Sequence, residues 1–220
     1  MRDGAQTEVS FDQVFAVVRL SHKYQVDDIL QQAIAHLKKH YTTRPSREPM
    51  PFTRTHGIGA VNLAILTETP VILPRALLDC ASLGSAVLDG WTREDGSVEH
   101  LSASHLRTVM DARDRLIIES FYSLKEIVSG YPGIHCAGRE LCKSAMLELL
   151  LRGMDAANGA FEPQALFESW KDLLEGDGNP RLCSACVQDF CKNEEDVLAD
   201  IWSRLPSLFR LNMQGWPIHM

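Results

Sequence analysis

The stretch that most constrains this fold begins at Ser102. Leu106, Val109, Met110, Arg113, Leu116, Ile117, Ser120, Phe121, Leu124, Ile127 and Val128 keep a helical period for about seven turns. A strand cannot hold such a stripe on one side, because its side chains alternate faces. The core must therefore be built by helices packed on helices. Arg113 and Ser120 interrupt the stripe, so its interior is not uniformly dry. Ser102 is placed to cap the helix, and "SGYPG" stops it.

The same period recurs on both sides. Phe11, Val14, Phe15 and Val18 share one helical face. "SHKYQVDD" interrupts, and Asp27 or Asp28 is placed to cap a second helix whose apolar face is Ile29 or Leu30, Ala33, Ile34 and Leu37. These form a helical hairpin over residues 11–40. "YTTRPSREPMPFTRTHG" follows, with prolines and no periodicity, and reads as a linker. Further helices are predicted over 59–67, from Pro74 to a stop at Gly84, and over 138–153. A shorter one opens at Pro163 and carries Leu166, Trp170 and Leu173. The last runs from "CSAC" to Pro206 and carries Val187, Phe190, Val197, Leu198, Ile201 and Trp202. Only Asp95-Gly96 suits a tight turn between two short extended arms. The pattern predicts an all-α fold, an irregular helical bundle with at most one small β-hairpin.

Composition narrows the partners. The 220 residues are 45% hydrophobic and carry a net charge of -7. An acidic chain repels a phosphate backbone; the basic candidates are "HLKKHYTTRPSR" at residues 36–47 and "RDR" at residues 113–115, and the first suits a helix C-terminus better than many phosphate contacts. The expectation is no nucleic-acid partner. No apolar run approaches the ~20 residues needed to span a bilayer, and "MRDGAQTEVS" has no apolar centre of a signal peptide. No membrane association is expected, and a cytoplasmic or nuclear location is. Thiols stay reduced there, so clustered cysteines point to metal rather than disulfides.

"LCSACVQDFC" places three of the six cysteines within ten residues. Cys183 and Cys186 stand three apart at a helix start, on one side, in the C-x2-C spacing of half a structural zinc site. "HCAGRELC" offers the other half, Cys136 and Cys142, one in a loop and one in the first turns of a helix. The set Cys136, Cys142, Cys183 and Cys186 supplies the four soft ligands that Zn2+ takes in a tetrahedron. A second reading stays open: free cysteines are often small buried core residues, and C-x5-C is looser than most zinc-ligand pairs. A redox pair would need a preceding strand, which is missing. Cys191 and His135 are adjacent substitutes, and Cys80 reads as core.

Other motifs carry less. "GIHCAG" has phosphate-loop spacing, but Arg139-Glu140 stands where Lys-Ser/Thr is needed. His100 and His105 have poor spacing for a shared metal. Asp111 and Asp114 beside Arg107, Arg113 and Arg115 read as a solvated charged face. "EGDGNP" at residues 175–180 lacks the alternating oxygens of a calcium loop. Trp170 and Trp202 read as core anchors. No catalytic residues, and no enzyme, are expected.

The ordered set of elements resembles a family. "FDQVFAVVRLSHKYQVDDILQQAIAHLKKHY" resembles the last helical pair of a BTB/POZ domain, in the form found in fungal BTB-containing proteins. "VNLAILTETPVILPRALLDCA", the Asp-Gly turn, C-x5-C, "LCSAC" and "IWSRLPSLFRL" follow in the order associated with that group. The resemblance implies three parts: residues 1–41 as the terminal helical pair of a partial BTB domain, 42–57 as a linker, and 58–220 as a post-BTB helical domain. It also implies that BTB strands should precede Phe11, so the chain resembles the C-terminal part of such a protein. The function it implies is a non-enzymatic protein–protein interaction module, a scaffold or adaptor of BTB type for a cullin ubiquitin ligase. The residues alone offer the alternative of a zinc-stabilised regulatory domain. Without a BTB core, Phe11, Val14, Phe15 and Val18 must fold onto downstream helices or stay exposed as a self-association face.

Overall fold

A computed structural model of the chain describes residues 9–42, 52–128, 132–155, 162–167, 169–174, 181–213 and 216. Helix α1, Phe11–Tyr24, opens on a capping box. The Ser10 hydroxyl accepts from the Gln13 N–H at 3.2 Å, and the Gln13 side-chain oxygen accepts from the Ser10 N–H at 3.1 Å. Gln25, in the left-handed region at φ 58°, ends the helix and turns the chain into α2, Asp27–Tyr41. Asp27 and Asp28 do not cap α2. Val26 holds the cap position without a side-chain bond, and both carboxylates lie in the first turn, where the helix dipole favours them.

Helix α3, His56–Leu66, starts three residues before the predicted 59, and is buried nearly all round. It packs against α4, Leu73–Ser82, whose Pro74 lies at the helix start and whose exit passes Gly84 at φ +60°. The hairpin is β1, Trp91–Thr92, paired antiparallel with β2, Val98–Glu99, Trp91 opposite Glu99. Gly96 sits at φ +80° behind a turn closed by its N–H on the Arg93 carbonyl at 3.0 Å, so the turn residues are those the sequence indicated. Helix α5, Ala103–Val128, is the long element, and the Ser102 hydroxyl caps it by accepting the His105 N–H at 3.3 Å. Helix α6 is Arg139–Gly153. Two 3-10 turns, Pro163–Phe167 and Trp170–Leu174, replace the single helix predicted from Pro163. Helix α7, Ser184–Leu208, does not stop before Pro206. The proline lies in its last turn, where it cannot donate to the Trp202 carbonyl, and left-handed Arg210 closes the end. Among the described residues the protein is all-α with one two-stranded hairpin, as the periodicity indicates.

By packing, the described residues form two compact units that divide between Val109 and Met110, inside α5. That differs from a boundary at 42–57. Of that stretch, residues 43–51 lie outside the described residues, while Phe52 is buried and stacks edge-on to Phe11 at 5.0 Å.

The core of the first unit is aromatic. Phe11 stacks on the His56 ring at 4.5 Å and meets the edge of Trp91 at 5.0 Å, and Phe15 meets Trp91 at 5.1 Å. Phe11, Val14, Phe15 and Val18 are all buried by the chain's own residues. The self-association face expected as one outcome is thus not open to a second copy. Downstream residues, Trp91 and His56 among them, cover it. In the second unit Leu116, Leu124, Leu149, Leu166, Phe190 and Ile201 are buried, and Trp170 and Trp202 join them as core anchors.

Candidate metal centre

The centre is assembled from two local pairs. The chain before α6 makes a tight turn, the Cys136 N–H donating to the Gly133 carbonyl at 3.0 Å. Cys136 therefore sits in a loop, and Cys142 sits one turn inside α6, where its N–H reaches the carbonyl of the cap residue Gly138 at 2.9 Å. Cys183 holds the cap position of α7 in extended backbone, φ -69° and ψ 161°. Cys186 is one turn in, and the spacing of three puts both sulfurs on one side.

All four sulfurs lie within 4.8 Å of one another. The Cys183 and Cys136 sulfurs are 3.9 Å apart, and the Cys183 N–H donates to the Cys142 sulfur at 3.4 Å. Zn–S bonds of about 2.3 Å in a tetrahedron put sulfurs about 3.8 Å apart. A disulfide needs about 2.05 Å. All six cysteines are free, so the cluster is an unlinked one of near-tetrahedral size. These four cysteines can hold a metal ion.

Electrostatics differ from sulfur to sulfur. N–H groups of Cys186 and then Ala137 stabilise the Cys183 thiolate and pull its pKa down to about 6. Burial pushes Cys186 up to about 12. The Cys183 N–H pulls Cys142 down, but burial and the adjacent thiols outweigh it, and its pKa is raised. Four negative sulfurs this close repel one another unless a cation sits among them. A divalent ion reverses that penalty and releases the thiol protons.

The remaining candidates fall elsewhere. Cys191 and His135 are outside the cluster, and Cys80 is a buried core thiol whose ionisation burial suppresses. "GIHCAG" forms the cysteine loop. The His105 ring shares a hydrogen bond with the Ser102 hydroxyl at 2.8 Å, and neither it nor His100 joins a metal-ligating group. Asp111, Asp114 and Arg107 are exposed, as a solvated face requires, but Arg113 and Arg115 are half-buried, and Arg113 pairs with Glu162 at 3.2 Å. Residues 175–180 lie outside the described residues. Among the described residues no helix is long and apolar enough to cross a membrane.

Two polar features escaped the sequence. Glu194 is buried on α7 and accepts from the Ser169 hydroxyl at 2.9 Å and from the Trp170 N–H, with the Lys171 ammonium at 3.5 Å. It fixes the start of the second 3-10 turn. Its signal was legible: it falls between Phe190 and Val197 on the apolar face. In the first unit a groove of about 410 Å³ runs along Phe15, Leu63 and Leu66, with Arg19, Asn62, Glu99 and His105 at its polar side. Arg19, Asn62 and Glu99 satisfy each other. Arg19 pairs with Glu99 at 2.8 Å, and the Asn62 amide donates to Glu99 and to the His100 carbonyl, each at 3.1 Å.

No protein-family model, no curated protein and no solved structure matches the chain, so the likeness to a BTB/POZ domain stands on the quoted residues alone.

Proposed function

We propose that the chain is a non-enzymatic protein-interaction module whose second unit is held together by a structural zinc ion. The observation that carries this reading is the convergence of four sulfurs from two sequence-distant pairs within 4.8 Å. Soft thiolates select zinc over hard cations, and a four-sulfur tetrahedron suits zinc or iron. Four protein ligands fill the shell and leave no position for a substrate, which marks a structural rather than a catalytic ion. Held this way, the ion ties the loop before α6, the first turns of α6 and the start of α7 into one knot. For the interaction role the support is an apolar stripe on the outer side of α1, where Val17, Leu20 and Tyr24 stand exposed at helical spacing.

Elemental analysis of protein purified without chelator tests the metal. One zinc per chain is expected, and it is lost in the Cys183→Ala/Cys186→Ala double variant. The melting temperature falls with it, by about 2–4 °C per kcal/mol at this chain length. Iron in its place would keep the site and overturn the ion. Protein with no metal, melting as the double variant does, would end the reading. The BTB-type adaptor role rests on resemblance. Recovery of a cullin in a pull-down supports it, and failure with a cullin that a known BTB protein captures in parallel removes it.

A further inference from the structure

The four cysteines are not equivalent. Cys142 and Cys186 are buried, whereas Cys136 and Cys183 are only partly covered. The two accessible sulfurs are also in mutual contact, 3.9 Å apart. Cys136 lies in the loop before α6, and Cys183 is the extended cap residue of α7. Both stand on non-helical backbone. Cys183 keeps one tie to α7, the Val187 N–H on its carbonyl at 3.0 Å, so the gap closes to a disulfide length of about 2.05 Å by movement of the two side chains and of the Cys136 loop. Cys142 and Cys186 are held inside helices, so they cannot approach a partner as cheaply.

We infer that Cys136 and Cys183 form an oxidant-sensitive latch on the metal, closed as a disulfide by hydrogen peroxide, with release of the ion. This inference rests on the zinc reading above. The Cys183 thiolate attacks one peroxide oxygen, the O–O bond breaks, and hydroxide leaves from a sulfenic acid. The Cys136 thiolate then attacks that sulfur, the S–S bond forms, and the S–O bond breaks with loss of a second hydroxide. Two thiolates lose two electrons, the peroxide gains them, and two protons from solvent complete two waters. Cys142 and Cys186 remain, and two ligands do not fill the tetrahedral shell of Zn2+. A dithiol reverses the step by taking up the disulfide, after which zinc rebinds.

The test uses the full chain. Zinc and free thiols are counted first. Hydrogen peroxide is then added in modest excess, released zinc is followed with a chromogenic chelator, and crosslinked peptides are mapped by mass spectrometry. The expected result is release of the bound zinc with loss of two thiols, a Cys136–Cys183 crosslink, and rebinding after dithiol reduction. Cys191→Ser, which leaves all four ligands in place, is expected to release zinc at the same peroxide concentration. Zinc absent before oxidation overturns the zinc reading and this inference together. Zinc that stays bound under peroxide overturns this inference alone. So does release with a crosslink at any other pair, or protection by Cys191→Ser.

Discussion

A methyl group added at Gly59 would stand 2.7 Å from the Trp91 ring and 2.8 Å from the Phe11 ring. Gly-to-Ala inside a helix ordinarily stabilises by about 1 kcal/mol. Here the aromatic cluster cannot yield cheaply, so Gly59→Ala is expected to destabilise by about 1–3 kcal/mol in urea unfolding. Gly96→Ala makes the opposite case. Nothing lies within 4 Å of its would-be Cβ, yet φ is +80°. A loss of about 1 kcal/mol there is purely conformational. Equal effects at the two sites would count against the crowding argument. Glu194 gives a third test. Glu194→Ala strands the buried Trp170 N–H and is expected to cost about 2–4 kcal/mol, with Glu194→Gln recovering part. The residue scale was partly legible in advance. The four cysteines and the core positions of α1 followed from spacing. The clash at Gly59 did not, because it depends on Trp91, thirty-two residues away and on another element.

At the scale of the element, real caps and false ones separate by geometry. Ser10 and Ser102 each accept an N–H from the third residue of their helix, whereas Asp27 only sits in a first turn. Ser102→Ala is therefore expected to cost about 1 kcal/mol. Asp27→Ala should cost less, about 0.3–1 kcal/mol, and its effect should fade with added salt. Equal, salt-independent losses would contradict that assignment. Helices with a strong period, α1 and α5, could be read almost to their ends. The segment from Pro163 could not. Its second 3-10 turn begins where the Glu194 carboxylate of α7 takes the Trp170 N–H, a long-range bond that no local pattern announces. Pro206 marks the end of α7 only approximately: it lacks the donor for one helical bond, yet the helix runs two residues past it to Leu208.

For the molecule as a whole, acid is expected to weaken the first unit. The neutral His56 ring stacks on Phe11, and its Nδ1 accepts the Thr53 N–H at 2.9 Å. Burial holds its pKa below the ordinary imidazole value, with Asp12 pulling the other way. The unfolded chain binds a proton near pH 6.5, while the folded one resists. Stability from this group is thus complete above about pH 6.5 and drains away as pH falls toward the folded value. The urea midpoint should fall between about pH 7 and pH 5, and His56→Asn should flatten that slope. An unchanged slope would assign it to other groups, such as His40 or His105, whose pKa values are also lowered. Stripping the metal should act differently. Hydrogen exchange is expected to quicken in α6 and the first turns of α7 while α1 to α4 keep their protection. The division of the chain inside α5 was not legible, since a helix shared by two packed units shows no break in its period.

The centre also has an order in time. Cys183 follows Cys142 by 41 residues. At about 5–20 residues per second, a ribosome delivers the second pair of sulfurs roughly 2–8 s after the first. Through that interval the emerging chain carries an unfinished claw, two thiols with no mates. The four sulfurs can be joined only late in synthesis, after α1 to α4 have been made.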